Sequence, residues 1–381
     1  MGYEAESFDV AVVGGGIVGL GIAMAAGRRG MRTVLFEATA RASGASIRNF
    51  GMIWPIGQPA GERFELAIRN RDLWCRVAAE ARIPLVRCGS LHLAHHEDEW
   101  ETLQQFVEEH RDPNQQLDLL SPAQTVQKTS AANPEGLRGS MYSRDECRLD
   151  PRQAIGALSD FLSSDPEITV HRATTIAAID QDQLHSTCGR TWSANQIFVC
   201  SGADLDRLFP ALHQQSGLRR CKLQMLRTTI PEGGWQLGPH LASGLTLRHY
   251  EAFARCPSQQ AIRSRIAREA PELDRYGIHV MVSQALDGEL VLGDSHEYDE
   301  QIEPFDKAQI DQWILREITK VFRLPTLEIQ QRWNGIYAKH PTAPYWVSRA
   351  AENHRVTAVN GLGGAGMSLA LALSEKIVEQ L

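Results

Sequence analysis

The chain has 381 residues, room for about two domains of ordinary size. Hydrophobic residues make up 43% and charged residues 22%, the balance of a globular protein with a large core. A net charge of −7 without a run of one sign counts against a nucleic-acid or membrane surface, so an anionic substrate needs a local basic pocket.

Seven cysteines, an odd number with no Cys-x-x-Cys, argue against a disulfide framework and a zinc site, so a reducing cytoplasm is expected. The stretch VAVVGGGIVGLGIAMAAG (10–27) is uncharged and nearly long enough to span a bilayer. Glu4, Glu6 and Asp9 precede it instead of a basic region, so neither a signal peptide nor a membrane span is expected.

Residues 9–13 are a short apolar strand, and Gly14, Gly16 and Gly19 then give G-x-G-x-x-G. Residues 17–29 suit a helix packed on a sheet, and 33–36 a second buried strand ending at Glu37. Gly14 permits the turn, Gly16 lets a pyrophosphate approach the backbone, and Gly19 lets the helix lie close to the strand. The helix N-terminus offers N–H groups and a positive dipole end to phosphate, and Glu37 offers a carboxylate to a ribose diol. In this context the motif predicts a dinucleotide, without separating NAD from FAD.

A loop of small and polar residues follows, RASGASIRNFGMIWP (41–55). Residues 61–82 form an amphipathic helix with Phe64, Ala67, Ile68, Leu73 and Trp74 on its apolar face, which predicts core packing. In LHLAHHEDEW (91–100), His92, His95 and His96 precede three acids. A strand end followed by a helix from about Glu97, with acids in its first turn, explains these better than a metal site, and no metal centre is expected. GLTLRHYEAFARC (244–256) is expected to be a strand with Arg248 and Tyr250 on one face and His249 on the other. Residues 277–299 predict a hairpin over LDGE, with His279 on the side of Met281 and Ser283 and a second strand ending in GDSHEY. The C-terminal stretch 356–381 predicts a strand, a turn with Gly361, Gly363, Gly364 and Gly366, and a helix. Glycine turns at both ends of the chain suggest one long cofactor gripped twice, with the second helix N-terminus near the flavin ring.

In these motifs and their order the sequence resembles the FAD-dependent D-amino-acid, glycine and sarcosine oxidase family. RLDPRQAIGAL (148–158), ITVHRATTIAAID (168–180), NQIFVCSGADLDRLFP (195–210) and the C-terminal GLGGAGMSLA extend the likeness over nearly the whole chain. The resemblance implies an α/β fold, a Rossmann-like FAD-binding domain interleaved with an α+β substrate domain on a mixed sheet. The FAD domain is expected over 1–84, 148–215 and 336–381, and the substrate domain over 85–147 and 216–335. It implies that Ser46, Arg48, Asn49 and Gly51, the backbone near Ile176, Gly202, and Gly363, Gly364, Gly366 and Met367 hold FAD together with Gly14, Gly16, Gly19 and Glu37. No cysteine follows Cys256, and the first small-residue loop carries Ile47, Arg48 and Asn49 where some members tether FAD through a histidine, so the FAD is expected to be non-covalent.

Members of the family oxidise a C–N bond, mainly by positioning the substrate carbon over the flavin. In RWNGIYAKHP (332–341), Tyr337 stands where the glycine and D-amino-acid oxidases carry a carboxylate-binding Arg. Tyr337 with Lys339, His340 and Arg332 suits a tetrahedral, more highly charged anion, unless Lys339 and Arg332 simply face solvent. Tyr250, His279 and His296 are further candidates for the site, each with a packing role as its alternative. Val291 stands where sarcosine oxidases have an oxygen-activating Lys, which leaves oxidase and dehydrogenase both open. SIRNFGMIWP, GDSHEY and RWNGIYAK resemble the branch that accompanies aminophosphonate breakdown. The expected reaction is therefore oxidation of a small, anionic amine, such as N-methylated 2-aminoethylphosphonate, by molecular oxygen, giving phosphonoacetaldehyde, methylamine and hydrogen peroxide. Oxidation on the methyl side, giving formaldehyde, stays open. The rivals are a glycine, sarcosine or D-amino-acid oxidase anchored by Arg48, Arg248 or Arg332, a dehydrogenase with another acceptor, and a flavin-binding structural, sensory or tRNA-modifying protein.

Overall fold

The computed structural model describes residues 6–110 and 116–381; residues 1–5 and 111–115, which the expected domain ranges include, lie outside the described residues. The first strand, Glu6–Val13, is flanked in parallel by Thr33–Phe36 and Thr191–Val199. Ile168–His171 extends one side in parallel, and Val356–Asn360 pairs in parallel with the far half of Thr191–Val199. Covered strands of a parallel sheet are apolar without alternation, and TVLF (33–36) is buried at every position. The antiparallel strands Gln183–Ser186, Ile176–Asp180 and Trp346–Arg349 complete eight. The stretch 168–180 is two strands, Ile168–His171 and Ile176–Asp180, at opposite ends of the sheet path.

The helix Ile17–Gly27 is buried almost all round. One side lies on the sheet and the other on the C-terminal helix Gly366–Val378; a Cβ at Gly21 would come within 2.5 Å of the Ser374 hydroxyl. The helix Glu62–Glu80 braces this pair: Asn70 Nδ2 and Trp74 Nε1 both donate to the Met367 carbonyl at 2.9 Å, and Asn70 Oδ1 accepts from Leu371 N–H. Trp74 is fully buried, so truncation to Ala would cost about 3–5 kcal/mol.

A nine-stranded mixed sheet forms the second layer. Arg219–Thr228 lies between the long strand Ile329–Lys339 on one side and Leu290–Gly293 and Glu297–Asp299 on the other. Met281–Gln284, His240–Ser243, Ser90–Ala94, Gly139–Ser143 and Leu117–Leu120 continue it. The strand Ile329–Lys339 crosses the expected boundary at 336 and carries Tyr337 and Lys339 from this sheet to the cavity. The hairpin over residues 286–289 forms as expected, pairing Met281 with Gly293 and Gln284 with Leu290. The region 244–256 is not a strand. It folds as two short 3-10 turns, Gly244–Arg248 and Glu251–Phe253.

Candidate active site

A cavity of about 660 Å³ runs between the two sheets, within the size range of cofactor and ligand sites. At one end Gly14 makes the turn after the first strand at φ +113°, and a Cβ there would lie 2.3 Å from the Cys200 carbonyl oxygen. A Cβ at Gly19 would lie 1.9 Å from the Gly14 carbonyl oxygen. Gly19 therefore works by close packing and does not line the cavity, while Gly14 and Gly16 do. Glu37 reaches back to this turn, its Oε2 accepting from Gly15 N–H at 2.9 Å and its Oε1 from Thr39 N–H at 2.9 Å. Ser46 Oγ accepts from Ile17 N–H at 3.0 Å, which sets its hydroxyl over the helix N-terminus. Asn49 holds the loop together, donating to the Ala45 and Ser46 carbonyls and accepting from Gly51 N–H. Gly51 itself, at φ +73°, packs on Leu149 outside the cavity lining, so its part is backbone geometry rather than cofactor contact.

Ile176 and Gly202 line the same end. The Gly202 carbonyl accepts from Asn360 Nδ2 at 2.8 Å, which ties its turn to the C-terminal strand. Gly363, Gly364, Gly366 and Met367 line the far end of this half, with the second helix N-terminus directed into the cavity. Arg48 lines the cavity while donating to the Asn334 carbonyl at 3.2 Å.

The opposite end is lined by Tyr337, Lys339, Tyr250, His249, His279, His296 and Asp294. Tyr337 is buried, and a Cβ at Gly364 would lie 3.7 Å from its hydroxyl. Burial holds the Tyr337 and Tyr250 phenols protonated well above their usual range. Lys339 is exposed on the protein surface and borders the cavity, with its ammonium 3.4 Å from the Tyr298 hydroxyl. The Tyr250 hydroxyl donates to Met281 Sδ at 3.3 Å. His279 is buried, and desolvation holds its imidazole neutral, well below the usual range.

Two expectations fail here. Arg332 points away from the cavity and pairs with Asp311 at 3.0 Å on the outer side, because strand alternation puts it on the face opposite Tyr337. Arg248 is buried behind the wall, donating to the Leu245 and Ile278 carbonyls and to Asp274, so it is not a free anchor. His340 borders the cavity, but its Nδ1 accepts from Thr342 and Ala343 N–H and shapes the following turn. His92 is buried in the core, His95 bonds the Asn133 carbonyl, and His96 precedes the helix Glu97–Glu109.

Sequence reasoning passed over Asp294 and set His249 on the wrong face. Asp294 lies within the quoted GDSHEY, and its signal was an acid between two hairpin histidines. His249 was misplaced because alternation was applied to a segment that turns.

Two glycine turns and two helix N-termini on a parallel sheet, facing one elongated cavity, define a dinucleotide-dependent oxidoreductase. The model of the DAO family, FAD dependent oxidoreductase, matches residues 9–380, and the chain belongs to that family. A glycine oxidase of Geobacillus kaustophilus (strain HTA426) is 26% identical over 212 residues, covering 53% of this chain and 56% of that protein. A glycine oxidase of Bacillus licheniformis is 22% identical over 391 residues, covering 99% of this chain and 93% of that protein. The solved L-proline dehydrogenase from P. horikoshii shares the fold, with a TM-score of 0.79 at 17% identity, covering 99% of this chain and 94% of that one. The cofactor is FAD, and the residues present fit it: the Gly14–Gly16 approach, the Glu37 carboxylate and the second helix terminus are what its phosphates, ribose and ring require. Among the described residues no helix is long and apolar enough to cross a membrane.

Proposed function

We propose that the protein oxidises the C–N bond of a small anionic amine, with N-methylated 2-aminoethylphosphonate as the preferred substrate. The carrying observation is the anion end of the cavity. Lys339 and Tyr337 border it, and the resemblance to the glycine and D-amino-acid oxidases implies that Tyr337 takes the place of their carboxylate-binding Arg. A compact ammonium with phenol donors suits a tetrahedral oxyanion better than a planar carboxylate.

Bound FAD supplies the hydride acceptor. Lys339 and Tyr337 hold the anionic group, and Tyr250 closes the wall behind the reacting carbon. The buried wall excludes water and keeps the neutral amine, the form that gives up hydride. Loss of two electrons and two protons makes an imine, which water splits to phosphonoacetaldehyde and methylamine. Molecular oxygen accepts the electrons and protons as hydrogen peroxide. FAD is held without a covalent bond on this reading: no cysteine follows Cys256, and the first small-residue loop has Ile47, Arg48 and Asn49 where some members of the family carry a tethering histidine.

A second reading is supported by the glycine oxidase relatives: a small amino acid whose carboxylate meets Arg48, the arginine candidate that lines the cavity. Anaerobic bleaching of the flavin separates the two. Bleaching by N-methyl-2-aminoethylphosphonate with none by sarcosine is the expected result. Bleaching by sarcosine alone would sink the phosphonate reading.

A further inference from the structure

Four titratable side chains converge on the wall opposite the glycine turns. His279 and Asp294 face each other across the open end of the hairpin, bound through both backbone groups: His279 N–H donates to the Asp294 carbonyl at 3.3 Å, and Asp294 N–H to the His279 carbonyl at 2.9 Å. His296 follows two residues on, its N–H donating to the Tyr276 carbonyl at 2.7 Å. His249 enters from the end of the 3-10 turn Gly244–Arg248. The three imidazoles place one ring nitrogen each within 4.8 Å of the others. Asp294 Oδ1 lies 3.4 Å from His279 Nε2, and Oδ2 lies 3.8 Å from His296 Nε2.

These groups are poorly satisfied by the protein alone. Both ring nitrogens of His279 and Asp294 Oδ1 are buried without a hydrogen-bond partner. Each such group is penalised if left dry, so a partner from solution is favoured. His296 shows what kind of partner. Its Nδ1 is 3.2 Å from the Gly277 carbonyl and must donate to it, which leaves the Nε2 lone pair free toward Asp294. A backbone carbonyl that fixes the tautomer and frees the other nitrogen is the usual support of a metal-ligating histidine.

We propose that His249, His279, His296 and the Asp294 carboxylate bind one divalent transition-metal ion of the zinc type. Three imidazole nitrogens exclude the hard, oxygen-seeking magnesium and calcium ions. A redox-silent ion such as Zn²⁺ is also compatible with a flavin that must keep its two electrons. Tetrahedral bonds of 2.0–2.1 Å put ligands about 3.4 Å apart, so the trio closes by about 1.4 Å, a side-chain adjustment. Asp294 gives up its proton on binding, and the ion replaces it.

Zinc occupancy is independent of the amine reading, so zinc without amine turnover sinks that reading and leaves this one intact. The experiment uses tag-free holoprotein dialysed against Zn²⁺, with metal and flavin measured together by mass spectrometry and absorbance. About one zinc per flavin is expected, and a zinc-edge X-ray absorption spectrum should show imidazole scattering. His279→Gln and Asp294→Asn should each weaken zinc binding, the former by more than about 100-fold, while flavin absorbance reports that the variant has folded. Less than about a tenth of an equivalent of zinc in the wild type, or unchanged zinc in a flavin-loaded His279→Gln, would overturn the proposal. Should both variants fail to fold, the wild-type absorption spectrum decides: no imidazole shell means no such site.

Discussion

The two ends of the cavity are built on different principles. The cofactor end uses backbone: glycines, carbonyls and helix termini, with side chains such as Glu37 and Asn49 holding turns in place. The opposite end uses side chains, with imidazoles, phenols, a carboxyl and an ammonium brought together from separated segments. A backbone site is intolerant of any added atom. A side-chain site tolerates substitution and loses its function by degrees.

The sharpest way to break this contrast is Gly14→Ala. Its Cβ would meet the Cys200 carbonyl at 2.3 Å, and φ +113° is strained for any residue with a side chain. The expected outcome is protein with little or no bound flavin, read from the ratio of flavin to protein absorbance. Full flavin content in this variant would show that the turn is not what grips the dinucleotide.

A smaller, graded effect is expected at Lys339→Met, which keeps the stem and removes the charge. On the anionic-amine reading, KM should rise about 10- to 100-fold, the worth of one charged hydrogen bond, with kcat nearly unchanged and flavin content normal. An equal fall in kcat and kcat/KM would instead put Lys339 at the reacting centre.

Acid separates the two ends without any mutation. Burial depresses the His296 pKa to about 4, against 6.5 for the same group unfolded. Between those values the unfolded chain binds a proton that the folded chain refuses. Stability is therefore full above 6.5 and falls as pH drops, by up to about 1.4 kcal/mol per pH unit for this group. His249 and His279 shift in the same direction, while Asp294, whose pKa burial raises well above the usual carboxylate range, keeps its proton more readily when folded and opposes them. With metal removed by chelator, denaturant melts of His296→Asn should be flatter between pH 6.5 and 4 than those of the wild type. A parallel pair of curves would place the acid sensitivity elsewhere.

The cofactor end was legible in the sequence because backbone geometry demands particular residues at fixed spacing. Gly14, Gly16 and Gly19 leave a local pattern, and so does the turn at 361–366. Gly51 shows the limit, since its positive φ serves packing on Leu149 and not the ligand. The opposite end was legible only in part. Tyr337, Lys339, Tyr250 and His279 line the cavity. His249 was put on the wrong face because a period of two was applied to residues that form a 3-10 turn. The 168–180 stretch is two strands: residues 172–175 lead from the pairing of Ile168–His171 with Thr33–Phe36 to that of Ile176–Asp180 with Gln183–Ser186, a change of partner that no short window reveals.

The smallest expected effect is at Arg332, and it tests how far alternation governs the long strand Ile329–Lys339. Tyr337 faces the cavity, and Arg332 lies five residues before it, an odd number, so it projects from the opposite face. Its guanidinium pairs with Asp311 at 3.0 Å while more than half exposed. An exposed pair of this kind contributes about 0–1 kcal/mol, so Arg332→Ala should shift a denaturant midpoint only slightly. Turnover of whichever amine bleaches the flavin should change by less than about twofold, since nothing of Arg332 borders the cavity. Asp311 also accepts from Gln224 Nε2 at 2.9 Å and so keeps a partner when the arginine is gone. A rise in KM of tenfold or more in Arg332→Ala would mean that the strand shifts register when substrate binds, and that its outer face becomes part of the site.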